Sequence, residues 1–258
     1  MIYNTIQVEI DSNIGIITLN RPERKNIITS ELRNELLDVL EAFEANSDVC
    51  GIILTGGPDV FAAGSDIKEM AEASPMEMYL RKRTPVVCAK IESMPKPVIA
   101  AIGGYCIGGG LEIAMSCDLR IAASNARLGQ PEIKIGIIPG AGGNLRLVRL
   151  VGRAKAKEII FTGDPIDPQE AHRIGLVNAV VSPEALMDEA RKLAERCVRH
   201  SPCALAMAKV AIDVCSEVDI NSAQAFEKVA FCFGFSTDDQ KEGMRAFLEK
   251  RKPDYKGR

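Results

Sequence analysis

Between Pro97 and Cys117 the chain carries a single charged side chain, Glu112. A stretch this apolar has to be buried, in lipid or in protein. A membrane-spanning helix needs about 20 unbroken apolar residues. This stretch is interrupted by five glycines, has its one charge well inside, and begins as the β-branched run Pro97-Val98-Ile99-Ala100-Ala101-Ile102. A buried strand over 98–102, a glycine loop and a short helix over about 110–116 fit better than a transmembrane helix.

The segments on either side agree with that reading. Ile6, Val8 and Ile10 alternate with polar residues, and Asp11-Ser12-Asn13 turns the chain into Ile14–Leu19, a hairpin. Ser30 is the expected cap of a helix with Leu32, Leu36, Leu37, Leu40 and Phe43 on one face. Gly51–Thr55 and Leu119–Ala123 read as further strands, so strands alternate with helices in a largely parallel α/β core. From Gly143 the pattern is helical over 144–151, 153–161, 167–173, 183–199, 202–217, 220–234 and 237–250, with one strand at Val177–Val181. No repeat or low-complexity run is evident.

Composition narrows the function. The chain has 258 residues, 47% hydrophobic and 26% charged, enough for one large domain. A net charge of −3 with mixed signs argues against a nucleic-acid surface. The N-terminus shows no secretory signal pattern. Eight cysteines without a C-x-x-C spacing read as reduced thiols of a cytoplasmic protein. With only His172 and His200, a histidine metal site or a Ser-His-Asp triad has little material.

Two places offer chemistry. Gly64-Ser65-Asp66-Ile67-Lys68-Glu69 pairs Asp66 with Glu69 as a capping box opening a helix, and Gly108-Gly109-Gly110 precedes a second helix. Each is, taken alone, an ordinary loop-to-helix junction, and neither fits a dinucleotide or P-loop pattern. Taken together, one bare N–H from each can clamp a single oxygen. Glu112 in the first turn of the second helix balances the helix dipole and Glu132 after Pro131 is a turn residue, or the two together serve acid/base chemistry.

These segments resemble the enoyl-CoA hydratase/isomerase (crotonase) superfamily. The similarity rests on Phe61–Met70, Gly108–Glu112, Cys117-Asp118, Gly129–Glu132 and Pro139–Gly143, and runs from Asn20-Arg21-Pro22 to the tail at 238–243. It implies an α/β spiral of ββα units over 1–195 and a helical trimerisation region over 196–258, usually in a dimer of trimers. It implies that the backbone N–H groups of Ser65 and Gly109 hold a thioester oxygen, with Glu112 and Glu132 as the glutamate pair of the hydratase branch. It also implies substrate contacts from Arg24 and Asn26, from Ala63, Gly64, Asp66, Ile67 and Lys68, and from Gly108, Pro131 and Gly140. Arg24, Lys25 and Lys68 are the basic groups available to coenzyme A phosphates. Ile27 stands where many relatives have alanine along the coenzyme A groove. Ser65 stands where alanine is common, and keeps the N–H that matters.

The activity implied is reversible addition of water to a short- or medium-chain 2-enoyl-CoA. No metal or redox cofactor is needed, and coenzyme A enters as part of the substrate. Within the superfamily, double-bond isomerisation, decarboxylation and carbon–carbon cleavage are the alternatives. Outside it stands a non-catalytic coenzyme A- or RNA-binding scaffold, which the intact acid/base pair and the acidic charge disfavour.

Overall fold

The computed structural model describes residues 3–80 and 84–258. The chain opens with β1 (Ile6–Asp11), β2 (Ile14–Leu19), α1 (Ser30–Ala45), β3 (Gly51–Thr55) and β4 (Val60–Ala62). Next come α2 (Pro75–Leu80), α3 (Thr84–Ser93), β5 (Val98–Ile102), β6 (Tyr105–Ile107), α4 (Gly109–Ser116), β7 (Leu119–Ala123) and β8 (Arg127–Gly129). The remainder is α5 (Gly143–Thr162), α6 (Pro168–Arg173), β9 (Ala179–Val181), α7 (Leu186–Val198), α8 (Pro202–Cys215), α9 (Ile220–Gly234) and α10 (Asp238–Leu248).

The strands divide between two sheets. A six-stranded sheet runs β1-β2-β3-β5-β7-β9, and a three-stranded sheet runs β4-β6-β8. Among the strand pairs of the described residues, only the β1–β2 hairpin is antiparallel. Each of β3, β5 and β7 is followed directly by a strand of the small sheet, so the chain alternates between the two layers and spirals as ββα units. The six-stranded sheet is covered on both faces, which explains why its central strands have no polar side. Ile14, Ile16, Ile53, Ile99 and Ile121 meet Leu186, Ala190 and Ala194 of α7. The alternate residues Ile17, Ile52, Leu54, Val98 and Ile102 join Leu32, Leu36, Val87 and Ile91 in the larger core. Each large side chain buried in this way contributes roughly 1.5–3 kcal/mol.

Several local expectations are corrected. The cap of α1 is Thr29, whose Oγ accepts from Leu32 N at 3.2 Å, and Ser30 is the first helical residue. Ser30 is unavailable because its N and Oγ donate to the Glu69 carboxylate, both at 3.0 Å. The same contact removes the capping box. Asp66 accepts from Lys68 N at 2.9 Å, but Glu69 is drawn away to Ser30 and Arg33, and only a 3-10 turn, Ile67–Glu69, forms. The strand expected from Val177 starts at Ala179, because Val177 N is bonded to Ala171 O. One expectation holds: Gly152 (φ 77°, ψ 164°) breaks α5 between the helical segments expected over 144–151 and 153–161. The boundary expected at residue 195 falls inside α7.

The C-terminal helices reach the core through polar ties. Lys209 Nζ lies 3.0 Å from Asp118 Oδ2 and 3.1 Å from Ile91 O, so α8 is pinned to the β5–β7 region. Much apolar surface on these helices stays open, including Ile212, Val229, Phe231, Phe233, Phe247 and Leu248. All eight cysteines are free, but only Cys88, Cys106 and Cys117 are fully buried. Among the described residues no helix is long and apolar enough to cross a membrane.

Candidate active site

The site is assembled where the two sheets hand the chain to α4. Gly108 adopts φ +55°, a region an L side chain rarely enters, and this turns β6 into the helix, whose first N–H groups have no partner within the helix itself. Gly64, at φ +101°, makes the matching turn after β4. A Cβ placed on Gly109 would lie 3.5 Å from Ser65 N, and one on Gly64 would lie 3.9 Å from Gly109 N. The two junctions, 44 residues apart in sequence, therefore share one space. Neither the Ser65 N–H nor the Gly109 N–H finds an acceptor among the described residues. The Ser65 loop is held against the segment after β2 by Ile28 N to Gly64 O at 2.9 Å and Asp66 N to Ile28 O at 3.3 Å.

The two glutamates lie within electrostatic reach of each other, and Glu132 borders this space. The Glu132 carboxylate lies over Gly108, where an added Cβ would meet Oε1 at 2.9 Å. It sits at the start of a 3-10 turn, Glu132–Ile135, that follows β8. Gln130 is fully buried, and with its amide nitrogen turned toward Glu132 it lies 3.0 Å from both carboxylate oxygens. Burial pushes the Glu132 carboxyl up to about 7; its own N–H opposes this and the charge of Glu112 adds to it.

Glu112 is only 4% exposed. Its Oε1 accepts from Ala141 N at 2.6 Å and from Gly143 N at 2.8 Å, leaving Oε2 without a partner among the described residues. Burial raises its carboxyl above the usual range, opposed by the two N–H donors and the Arg146 guanidinium. The 139–144 loop that supplies those donors is fastened by Asn144 Nδ2 to Pro139 O at 2.8 Å. Two carboxyls beside two unpaired N–H donors can move protons at adjacent carbons while an oxygen between the donors takes up charge.

Not every residue expected at the site presents its side chain to it. Asn26 is fully buried, and its amide is spent on Arg21 N (2.8 Å) and on Val60 O and Phe61 O (3.1 Å each). It fixes the loop, at φ +48°, instead of contacting a ligand through its side chain. Ala63 is half-buried with its N–H given to Lys25 O, and Pro131 is half-buried. Arg24 and Lys68 are exposed and form no ion pair among the described residues, whereas Lys25 Nζ stacks 5.4 Å from the Tyr105 ring centroid. Ile67 and Gly140 are exposed at opposite ends of the site loops, and Asp66 is half-buried as a turn cap. Sequence reasoning missed Gln130, Ala141 and Gly143 as holders of the two carboxylates. The Gln130-Pro131-Glu132 run and the Pro139–Gly143 run were both marked by the family resemblance, but nothing in them told which groups would hold the carboxylates.

A cavity of about 660 Å³ lies elsewhere, between α8, α9 and α10. Its lining is largely apolar, with Met207, Ile212, Phe231 and Phe235 among the residues that form it.

Comparison with known proteins bears on the chain as a whole. The sequence profile described as enoyl-CoA hydratase/isomerase matches residues 9–258. The chain is 47% identical over 254 residues to a short-chain-enoyl-CoA hydratase of Clostridium acetobutylicum, covering 96% of each. It is 44% identical over 257 residues to a crotonyl-CoA hydratase of Syntrophomonas wolfei, covering 99% of each. Its fold is similar to the crystal structure of an enoyl-CoA hydratase from Bacillus anthracis, with a TM-score of 0.94, 39% identity, and 99% and 100% of the two chains covered. The chain belongs to the enoyl-CoA hydratase/isomerase family.

Proposed function

We propose that the protein is an enoyl-CoA hydratase acting on short- or medium-chain 2-enoyl thioesters. One observation carries the reading: the buried Glu112 carboxylate has one oxygen held by two N–H groups and the other without a partner among the described residues, while the half-buried Glu132 carboxylate lies over Gly108, beside the junction of Ser65 and Gly109. Isomerisation needs one carboxylate to shuttle a proton, so retention of the second favours hydration.

The thioester oxygen sits between Ser65 N and Gly109 N. Glu112, its Oε1 saturated by the 141–143 loop, uses Oε2 to orient water and take its proton as the oxygen attacks Cβ. Electrons of the double bond move to the thioester oxygen as an enolate, where each preorganised donor is worth about 3–4 kcal/mol. Glu132, with its carboxyl at about 7, holds a proton in a large share of molecules near neutrality and delivers it to Cα. The sum is one water added across the double bond, with the proton lost by Glu132 replaced by the one gained at Glu112. In reverse the two exchange roles and expel water. With both carboxyls acting from one side of the bound chain, the addition is syn.

Coenzyme A enters as part of the substrate, with the unpaired Arg24 and Lys68 available to its phosphates. The reaction so drawn uses no metal or redox group. The open apolar faces of α8 to α10 support self-association, read here as a trimer or dimer of trimers. Free cysteines support a cytoplasmic location.

The test is loss of the conjugated absorbance of crotonyl-CoA without added metal, extended to C10 substrates. No loss at any chain length would refute hydration, and retained hydration in Glu132→Gln would refute the proton-delivery role.

A further inference from the structure

Arg146 on α5 touches neither the oxyanion space nor the substrate side of Glu112, yet it is tied into the loop that holds Glu112. Its NH1 donates to Ala141 O at 2.6 Å, and its Nε and NH2 donate to the Glu92 carboxylate on α3 at 2.5 and 2.6 Å. The Ala141 carbonyl belongs to the peptide joining residues 141 and 142. That peptide lies between the two whose N–H groups, from Ala141 and Gly143, converge on Glu112 Oε1. Fixing the middle peptide fixes the direction of both neighbours. Gly142 is adapted to this contact: it sits at φ +96°, and a Cβ there would lie 2.0 Å from Arg146 NH1.

We propose that Arg146, clamped by Glu92, is the positioning residue for Glu112, orienting the peptide loop that holds one carboxylate oxygen and so aims the other at water. The proposal rests on the reading of Glu112 as the group that activates water. A guanidinium suits the task because its planar fork is satisfied on one edge by a bidentate carboxylate and leaves a third donor for the carbonyl. An ammonium supplies the charge without the fork. Arg146 also acts electrostatically, since its charge opposes the effect of burial on Glu112. The other titratable groups facing Glu112 are Cys88 on α3 and Glu132 on the turn after β8, with Glu92 on α3 neutralising part of the Arg146 charge.

The experiment compares Arg146→Met, Arg146→Lys and Glu92→Gln in the full chain, with Arg149→Met as control. Arg149 pairs with exposed Glu217 one turn further along α5. Readouts are kcat and KM for crotonyl-CoA against pH, and exchange of Cα protons of butyryl-CoA with D2O, which uses Glu132 and not Glu112. Arg146→Met is expected to lower kcat for hydration about 100-fold with KM and Cα exchange little changed. The acid limb of its kcat profile moves to higher pH, because Glu112 without its cation protonates more readily. Arg146→Lys restores the position of the limb but only part of kcat, Glu92→Gln loses less than Arg146→Met, and the control is unchanged. Infrared difference spectra, with the Glu112 band assigned by Glu112→Gln, read the same displacement without turnover. This separates the proposal from the hydratase reading, which fails if the wild type adds no water. An unmoved Glu112 band in Arg146→Met, or hydration and Cα exchange falling together with melting temperature, would overturn the positioning role.

Discussion

Glu132 gives a sharp prediction about stability. Burial lifts its carboxyl from the ordinary 4.5 to about 7 in the folded protein, while the unfolded chain titrates it near the ordinary value. Between those limits the folded state binds the proton and the unfolded state does not, so folding stability falls as pH rises from about 4.5 to about 7 and levels off above. At about 1.4 kcal/mol for each tenfold change in proton affinity, the full displacement corresponds to about 3.4 kcal/mol. Glu132 is only partly shielded from solvent, so roughly half of that, about 1.5–2 kcal/mol, is the expected size. Glu132→Gln cannot ionise and escapes the penalty; it also removes a charge that disfavours ionised Glu112, which acts in the same direction. Urea unfolding of both proteins at fixed concentration, at pH 5, 6, 7 and 8, measures the difference. Relative to wild type, the variant should gain about 1–1.5 kcal/mol between pH 5 and pH 8, the rest of the change lying below pH 5, while losing hydration. A difference that stays flat, or narrows with rising pH, refutes the claim that burial of this carboxylate is costly.

Other outcomes follow from the same geometry. Glu112→Gln should lower hydration of crotonyl-CoA by roughly 10²–10⁴-fold while leaving Cα proton exchange in place; equal loss of both would contradict the division of labour. Gly109→Ala places a Cβ 2.9 Å from the movable Ser65 Oγ and 3.3 Å from Ile28 Cδ1, inside the space meant for the thioester oxygen. Its kcat should fall about 10²–10³-fold with little change in melting temperature, and a fall of only a few-fold would remove Gly109 from the oxyanion site. Lys209→Met leaves Asp118 shielded beside β5 without its cation. It should destabilise the fold by about 2 kcal/mol in urea unfolding, and an unchanged midpoint would show that the tie carries no energy.

The legible parts of the sequence were those where periodicity or composition constrains the backbone directly. The all-apolar run 98–102 could only be buried, and Gly108-Gly109-Gly110 marked the turn into α4 because a positive φ at Gly108 selects glycine. The three-residue strands β4, β6 and β8 were not legible. They are too short to show an alternation, and pairing partners distant in sequence alone make them strands. The capping box at Asp66–Glu69 failed for a related reason: the carboxylate that would close it locally found Ser30 and Arg33 across the chain. Asn26 was read as a ligand contact, and only the packed structure showed its amide spent on three backbone groups.

The sequence by itself determined the kind of fold and the family, and it singled out two carboxylates and two backbone donors as candidates, because these depend on residue type and local spacing. Tertiary structure decided what those groups can do. It brought Ser65 and Gly109 together, filled one oxygen of Glu112 with two N–H groups from a loop about 30 residues away and left the other open, and lifted Glu132 to about 7. Proton affinity and orientation are set by dehydration and by neighbours in space, and no local pattern in a chain records either.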